Sequence, residues 1–579
     1  MLQDCIRMFA AMDMDKMILD TYMPADGTYL FLEETEEGFC QKELLEVKQD
    51  KKTKTLTITE EERRRISKYD YNCRLLEMNK PIDVKKAIQS NNFLSFWVKK
   101  ESLINGKLTE ERIDYYYEIL SDPYKKYTDV KDKELYAVAE KEVGEINQEK
   151  LQKIKKWVKD NIFNLPIELN GKDYLKIFFV CEGVDFEKEG RRYILPNIFN
   201  KNDYNIKYGE SICGLPNENM GLNSKKPYLE NKSRKYSIPT LCDTKQIMIR
   251  KKFFDYLWNQ ACSGKVNMYF DMNKNRIDSF DGKTSPASDF KGYYLRIRKD
   301  KNEAAILDMD MITSYKPELK TPILIQNVID MDLDKLEGHD YGVVTKLYEA
   351  RDIINNELFF KSLVPNFYTE PGDIAIEDSV LKESILIART SLFNWFYKGY
   401  DQGIGEVMDK VSLRLIVNSI SKNYLDKAQH QFNVRAAFLE YFKGGDKKMA
   451  DIMKEIRDTL RKKINNTGEY ESIETDEEYY YAVGQLVRFY ISLNKTTKKD
   501  HSLFNPFLNI KDDKRLKEKL EVFFKKYNYA IPEGSLRFNN IYKLIISYQP
   551  DNEFKRDYMI AGYISNSLIY EKKGGQINE

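Results

Sequence analysis

Residues Glu478 to Leu493 read EYYYAVGQLVRFYISL, and this stretch decides the fold of the C-terminal part of the chain. Five of its apolar residues recur at helical offsets 0, 4, 7, 11 and 14: Tyr479, Val483, Leu486, Tyr490 and Leu493. That spacing places them on one face of an α-helix. The polar residues of the opposite face are Gln485, Arg488, Ser492 and Lys495. The sequence therefore predicts a helix with one buried stripe and one outward, basic stripe.

Neighbouring stretches repeat this pattern. Apolar residues trace one helical face in the segments that begin near Met449, Leu516, Phe538 and Phe554. Together with the segment at Glu478, they predict five amphipathic helices. Such helices can bury a common core, so residues 446–579 are expected to form a helical bundle.

Positive charge is concentrated in this predicted bundle. Residues 485–548 hold thirteen Lys and Arg against six Asp and Glu, while the whole chain has a net charge of only +1. A concentration of positive charge on one face is typical of proteins that bind a phosphate backbone. The candidate nucleic-acid-binding residues here are Arg488, Lys495, Lys498, Lys499, Arg537 and Lys543. The alternative is a solvated helix face in a lysine-rich protein.

Composition limits the class of protein. The 579 residues are 42% hydrophobic and 32% charged, which is typical of a soluble chain with several cores. Neither a signal peptide nor a run of 18 apolar residues is found, so we expect a cytoplasmic protein that does not enter a membrane. The seven cysteines are scattered without a C-x-x-C pair, which favours reduced thiols over disulfides or a zinc knuckle.

The patterns along the chain predict an α+β fold with four regions. Residues 1–165 are expected to form a mixed α/β region, and residues 166–334 a β-rich region with short antiparallel sheets and a basic loop. Residues 335–445 return to helix and lead into the bundle at 446–579. Short alternating runs within 266–312 favour β-strands because alternate side chains of a strand point to opposite faces.

A polar stretch precedes the apolar run that begins at Phe93. It contains three lysines, Lys80, Lys85 and Lys86, and the asparagine pair Asn91 and Asn92. Lysine neutralises phosphate, while asparagine donates to and accepts from base edges, so these five residues are candidate nucleic-acid contacts. The alternative is that Ser90 to Asn92 form only a helix cap or a turn into a strand.

A second basic stretch lies between Asn223 and Lys252, with nine basic residues against two acids. Its candidate nucleic-acid-binding residues are Lys225, Lys226, Lys232, Arg234 and Lys235. Tyr228 and Tyr236 alternate with these charges, and tyrosine can stack on an unpaired base. An ordinary solvated loop is the alternative interpretation.

The sequence offers little that indicates catalysis. The three histidines are far apart and form no H-x-H or H-E-x-x-H pair, and no P-loop or G-x-S-x-G motif occurs. We therefore predict no catalytic residue, no bound metal and no cofactor. Asp308 and Asp310 lie two apart in a predicted strand and hence on one face. They support an alternative hypothesis, a metal-dependent nuclease or another enzyme of prokaryotic defence.

Three blocks of the chain carry a resemblance to a known family. They are KYDYNCRLLEMNKPIDVKKAIQSNNFLSF from Lys68, NSKKPYLENKSRKYSIP from Asn223, and the bundle segments EYYYAVGQLVRFYISLNK, HSLFNPFLN, RFNNIYKLIISY and YMIAGYISNSLIYEKK. In this order they resemble the large subunit of the type I-B CRISPR Cascade surveillance complex, the Csh family. No single block is a catalytic signature, so the resemblance depends on their combination.

The resemblance implies a non-catalytic subunit that binds crRNA and target double-stranded DNA, recognises the PAM and helps to recruit the helicase-nuclease. It implies as further partners the Cascade backbone subunits, the subunit that binds the crRNA handle, and a small subunit. The family's Asn-Lys-Pro and Ser-Asn-Asn motifs fall on Asn79 to Pro81 and Ser90 to Asn92, and its Lys-Lys-Pro block falls on Lys225 to Pro227. In RNA-guided effectors the protein reads a short duplex motif, while base pairing reads the sequence.

Residues 443–449, KGGDKKM, suggest a second translation product. The codons of Gly444 and Gly445 can spell GGAGGT, a ribosome-binding sequence, and three codons separate them from Met449. Some members of the family yield their small subunit from within the same gene. Because this spacing suits bacterial initiation, we predict a second product from Met449 to Glu579. Alternatively, the two glycines end a helix and form a hinge.

Overall fold

The computed structural model describes residues 1–168, 171–216, 241–300, 303–339, 341–444, 448–468, 471–495, 499–551 and 553–571. The chain divides into two compact units, one formed by 1–282 and 291–311, the other by 283–290 and 312–579. Short sheets in the N-terminal and central parts and a helical C-terminal part confirm the predicted α+β class. The four predicted regions remain a prediction.

In its described residues, the first unit contains helices and three sheets. Its helices are α1 (Leu2–Ala10), α2 (Met14–Thr21), α3 (Glu60–Cys73), α4 (Lys100–Ile104), α5 (Glu110–Ser121), α6 (Val130–Val143), α7 (Gln148–Asn161), α8 (Phe186–Asn197) and α9 (Thr244–Cys262). Its first strands are β1 (Gly27–Thr35), β2 (Gly38–Val47), β3 (Ser95–Lys99), β4 (Tyr174–Val180), β5 (Ile206–Tyr208), β6 (Ser211–Gly214) and β7 (Cys242–Asp243). The strands β8 (Asn267–Asp271), β9 (Arg276–Phe280), β10 (Phe290–Lys299) and β11 (Ala304–Tyr315) follow, and the division between the units falls within β10 and β11.

The first sheet has the strand order β2-β1-β4-β3. Strand β1 pairs antiparallel with β2 and parallel with β4, and its residues 27–32 are all buried because both edges and both faces are covered. Strand β4 follows residue 166, so the sheet joins residues from both sides of the predicted boundary between 165 and 166. The four alternating runs within 266–312 form β8 to β11, as predicted.

Buried ion pairs hold α3 against its neighbours in this unit. The carboxylate of Asp70 on α3 lies 2.7 Å from the ammonium group of Lys176 on β4, and both side chains are buried. Asp255 on α9 pairs with Arg74, at the end of α3, and with Lys251 at 2.5 Å. Each buried charge thus faces an opposite charge, which offsets its loss of hydration.

The second unit is mainly helical. Its strands are β12 (Glu318–Ile325) and β13 (Gly342–Lys346), and its helices are α10 (Leu347–Ile353), α11 (Ser379–Phe393), α12 (Ile404–Ser421), α13 (Leu425–Lys443), α14 (Met449–Asn465), α15 (Asp476–Ser492), α16 (Asn505–Leu508), α17 (Asp513–Tyr527), α18 (Leu536–Ser547) and α19 (Arg556–Ile564). Two π-helical turns, Ile354–Leu358 and Asn394–Lys398, continue α10 and α11.

Helix α15, which contains the segment from Glu478 to Ser492, is the central helix of the bundle. Residues 478–487 are all buried, so the predicted outward stripe is wrong. Gln485, expected on that stripe, donates from Nε2 to the carbonyl of Gly562 at 2.6 Å. Helix α19 approaches closely because Gly484 and Gly562 face backbone atoms of the opposing helix. A helix that is buried all round needs its polar groups paired, as Gln485 is.

The bundle does not have a core of its own. Ile416 of α12 and Phe432 of α13 belong to the same buried cluster as the apolar residues of α14 to α19. Gln429 of α13 donates to the carbonyl of Ile564 at 2.6 Å. The helices on both sides of residue 446 therefore share one core.

Candidate nucleic-acid interface

The turn before β3 presents two of the predicted lysines to solvent. Asp83 is buried, and its carboxylate accepts hydrogen bonds from the backbone N–H groups of Lys85, Ala87 and Ile88 at 3.0, 2.6 and 3.0 Å. These bonds fix the turn, in which Lys86 has a positive φ of 57°. The side chains of Lys85 and Lys86 are exposed, so both can reach a phosphate.

Lys80 does not fit its predicted role. Its ammonium group donates to the backbone carbonyls of Asn197, at 2.6 Å, and of Phe199. Burial lowers its pKa. The cation is therefore used to hold the turn against the end of α8 rather than to contact a phosphate.

Asn91 and Asn92 are structural, which corrects the prediction that they read bases. Their exposed fractions are 1% and 2%. The amide of Asn91 donates to the carbonyls of Asn72 and Arg74 at 2.9 and 2.8 Å, and the side-chain oxygen of Asn92 accepts from the N–H of Leu94 at 3.0 Å. The alternative reading, a turn that leads into a strand, is the one the geometry supports.

The central basic block lies outside the described residues. This holds for Lys225, Lys226, Lys232, Arg234 and Lys235, and also for Lys498 in the bundle. Their predicted contacts with nucleic acid stay predictions.

Three predicted cations of the bundle bind the protein itself. Arg488 donates to the carbonyl of Tyr563 at 3.0 Å, and burial lowers its pKa. The Nε group of Arg537 donates to the side-chain oxygen of Asn465 at 2.7 Å, and its Nη1 group donates to the backbone carbonyl of Glu571. Lys499 donates to the carbonyl of Asn494. The guanidinium groups of Arg488 and Arg537 therefore hold the fold, which corrects their predicted role, whereas the contact predicted for the half-exposed Lys499 stays a prediction.

Lys495 and Lys543 remain exposed, as their predicted role requires. The ammonium group of Lys495 lies 4.8 Å from the ring centroid of Tyr529, at the end of α17. Tyr529 itself is 61% exposed. An exposed tyrosine beside a lysine can stack on a base while the cation meets the phosphate.

This tyrosine extends a row of cations along α17. The row, here called the α17 stripe, consists of Arg515, Lys519, Val522, Lys526 and Tyr529. The four residues on α17 stand at offsets 0, 4, 7 and 11, so they follow one face, about 100° around the helix from the buried face, and Tyr529 lies in the short 3₁₀ turn after the helix. Val522 is 56% exposed, and the cations on either side of it leave its apolar surface open.

The charges of the α17 stripe are not neutralised by the protein. Within the ranges that the structure describes, Arg515, Lys519, Lys526 and Lys495 form no ion pair. In contrast, Lys525 on the neighbouring row pairs with Glu521 at 2.6 Å. Unpaired cations around exposed apolar and aromatic groups match the chemistry of a single nucleic-acid strand.

Comparison of the chain with protein-family models, curated proteins and solved structures found no match. The case for an interface therefore depends on the residues themselves.

The spacing of cations relative to apolar residues in the sequence indicates the α17 stripe, whereas the total charge of the region does not. Arg515, Lys519 and Lys526 each stand one position before a buried residue of α17, Leu516, Leu520 and Tyr527. Their shared helical spacing distinguishes them from the other cations of the region. The net charge of residues 485–548 does not distinguish these three cations from lysines that pair with an acid, such as Lys525.

The two aspartates of the nuclease hypothesis lie on β11, and both are half-buried. Asp310 accepts a hydrogen bond from the N–H of Met311 at 2.8 Å. Elsewhere, the structure brings together residues that sequence spacing kept apart: His339, Glu357 and His430. They lie in a turn, a π-helical turn and α13, so no local motif could reveal them.

No helix among the described residues is both long enough and apolar enough to cross a membrane.

Proposed function

We propose that this chain is the non-catalytic large subunit of an RNA-guided surveillance complex of the type I-B CRISPR Cascade class. In this role it binds crRNA and target double-stranded DNA and takes part in PAM recognition. Its protein partners are the backbone subunits, the subunit on the crRNA handle, a small subunit and the helicase-nuclease. The three blocks that resemble the family supply the class, and the surface chemistry supports the binding of nucleic acid.

One observation carries the proposal. The α17 stripe places three unpaired cations and an exposed aliphatic side chain along one helical face, and an exposed tyrosine in the turn that follows the helix. Lys495 adds a fourth cation beside the tyrosine. A solvated structural face needs no such selection of groups, whereas a strand with phosphates on one side and bases on the other uses all of them.

The exposed lysines of the N-terminal turn fit the same role. Lys85 and Lys86 project from a turn fixed by the buried Asp83. In the proposal they contact phosphates near the PAM, where they position the duplex without reading its sequence. Base recognition then belongs to residues other than Asn91 and Asn92.

Binding of nucleic acid should depend steeply on salt. We expect the full-length chain to bind a labelled single strand and a labelled duplex, with at least four phosphate contacts. Because each neutralised phosphate releases counterions, duplex affinity should fall roughly 100-fold between about 50 and about 200 mM salt. Fluorescence anisotropy measures the affinity, and affinity that is independent of salt would contradict the proposal.

The same mixtures of protein and labelled nucleic acid distinguish a non-catalytic binding subunit from a metal-dependent nuclease. Incubation with Mg²⁺ or Mn²⁺ should leave the labelled strands intact, because the proposed subunit breaks no bond. Cleavage that is lost when both Asp308 and Asp310 are changed to Asn would favour the enzyme instead.

We also propose that the gene yields a second product that begins at Met449. Helix α14 begins at this residue, so the product would start with an intact helix. Because Ile416 and Phe432 lie in the core shared with α14 to α19, the separate product needs a partner to cover the exposed apolar face.

The second product can be tested by synonymous recoding of the codons for Gly444 and Gly445. The recoded gene should give the full-length chain but lose the species of Met449 to Glu579 in intact-mass spectra of the purified protein. A control gene, recoded at an equal number of codons upstream of Lys443, should retain it. Persistence of the short species after recoding the two glycine codons would refute internal initiation at this sequence.

A further inference from the structure

Two histidines and a glutamate meet in the second unit. Nδ1 of His339 lies 3.0 Å from both carboxylate oxygens of Glu357. The imidazole rings of His339 and His430 are stacked, with 3.6 Å between centroids and 14° between planes. One ligand atom of each residue lies within 4.8 Å of those of the other two, and the described ranges hold no other such group of three His, Cys, Asp or Glu residues.

We propose that His339, Glu357 and His430 bind one divalent transition-metal ion of the zinc class. Two imidazoles and one carboxylate suit Zn²⁺, Co²⁺ or Ni²⁺, whereas Mg²⁺ and Ca²⁺ prefer oxygen ligands. Tetrahedral ligands about 2.1 Å from a zinc ion lie about 3.4 Å from one another. Closing the group around an ion therefore requires side-chain shifts of about an ångström. It also requires rotation of one imidazole out of the stack, because the nitrogen lone pairs lie in the ring planes and those of parallel rings do not converge on one ion.

The surroundings of His430 resemble those of a metal ligand. Its Nδ1 lies 2.9 Å from the hydroxyl of Tyr341, and that hydroxyl accepts a hydrogen bond from the amide of Asn433 at 2.8 Å. Metal-bound histidines commonly donate their second ring N–H to such a partner, which fixes the tautomer and leaves the other nitrogen for the ion.

The other two ligands lie in different elements and differ in exposure. Glu357 lies in the π-helical turn Ile354–Leu358, and π-helical turns occur often at functional sites. The side chain of His339 is 35% exposed, while that of Glu357 is only 13% exposed, so an ion can enter from the side of His339. Three protein ligands leave a fourth position for water or for a ligand from a partner.

A simpler account is that the three side chains stabilise the fold through the hydrogen bond and the ring stacking alone. The two accounts differ in what the chain binds. The metal site predicts one ion per chain, whereas hydrogen bonding without metal predicts none. This inference is independent of nucleic-acid binding, because the α17 stripe contributes nothing to the group.

The test uses the full-length chain, freed of metal with a chelator and then titrated with Co²⁺. We expect one equivalent to bind with visible absorption bands of nitrogen and oxygen ligation. His339→Gln and Glu357→Gln should each weaken Co²⁺ binding more than 100-fold. Zn²⁺ should raise the melting temperature of the wild-type chain, because an ion that binds only the folded state stabilises that state. It should not raise the melting temperature of the double variant, which carries both His339→Gln and Glu357→Gln.

Two controls make the outcome decisive. Glu370→Gln removes an exposed carboxylate of the same unit outside the group and should leave Co²⁺ binding unchanged. Alkylation of the exposed Cys40 beforehand removes an accessible thiol, and a thiolate-to-cobalt charge-transfer band would show binding at other cysteines. Helical circular dichroism verifies that each variant folds. The proposal is overturned if no equivalent binds, or if the double variant folds and binds Co²⁺ as tightly as the wild-type chain.

Discussion

Gly484→Ala should lower the free energy of unfolding of the bundle by about 3 kcal/mol or more. A Cβ at this position would lie 2.2 Å from the carbonyl oxygen of Met559 and 2.7 Å from the backbone nitrogen of Tyr563. Backbone atoms cannot rotate away as a side chain can, so α15 and α19 must move apart. Moving them apart strains the hydrogen bond from Gln485 to the carbonyl of Gly562.

A loss of stability in the Gly484→Ala variant would show that the two helices are in close contact, because alanine is otherwise favoured over glycine inside a helix by about 1 kcal/mol. An α15 that had only one packed face would be stabilised by the change. Hydrogen exchange of the α15 amides, read by mass spectrometry, measures the local free energy of opening. Gly372→Ala is the matched control, since a Cβ there meets no atom within 4 Å. Unchanged or slower exchange in α15 of the Gly484 variant would refute the close crossing.

Removing the three cations of the α17 stripe should have the largest effect on binding. In the variant Arg515→Gln, Lys519→Gln and Lys526→Gln, affinity for a nucleic-acid single strand should fall roughly 100-fold near 0.1 M salt. The reason is that each lost contact no longer releases counterions on binding. Anisotropy titrations of both proteins with one labelled single strand give this ratio.

A matched control removes the same charge elsewhere in the second unit. Lys320, Lys422 and Lys443 are exposed, but each is paired with an aspartate, at 2.5, 2.7 and 2.6 Å. Changing these three lysines to Gln should lower affinity by less than about tenfold, because only long-range attraction is lost. Equal losses in both triple variants would mean that net charge, and not the α17 stripe, sets the affinity.

Much of the secondary structure can be predicted from the regular spacing of apolar residues along the sequence. The alternating runs that became β8 to β11 are strands in the structure, and the apolar faces of α14 to α19 lie in the core. The prediction of an outward face on α15 was wrong, although polar residues occur there at helical spacing. Gln485 and Arg488 face inward because helix ends and loops supply carbonyls there, and no local pattern reports such distant partners.

The candidate site was predictable in kind but only in part by residue. Lys85, Lys86, Lys495 and Lys543 are exposed as expected, whereas Lys80 and Asn91 bind carbonyls far away in the chain. Residue type indicated the chemistry, but burial decided whether that chemistry reaches solvent. The same limit applies to His339 and His430, whose rings meet although 91 positions separate them.

The central claim, that the α17 stripe holds a polynucleotide through its phosphates, is tested most directly by a slope. Log affinity for a single strand is plotted against log salt concentration for the wild-type chain and for the variant with glutamine at 515, 519 and 526. The magnitude of the slope should fall by about two, roughly 0.7 for each of the lost phosphate contacts. Identical slopes for the two proteins would contradict it.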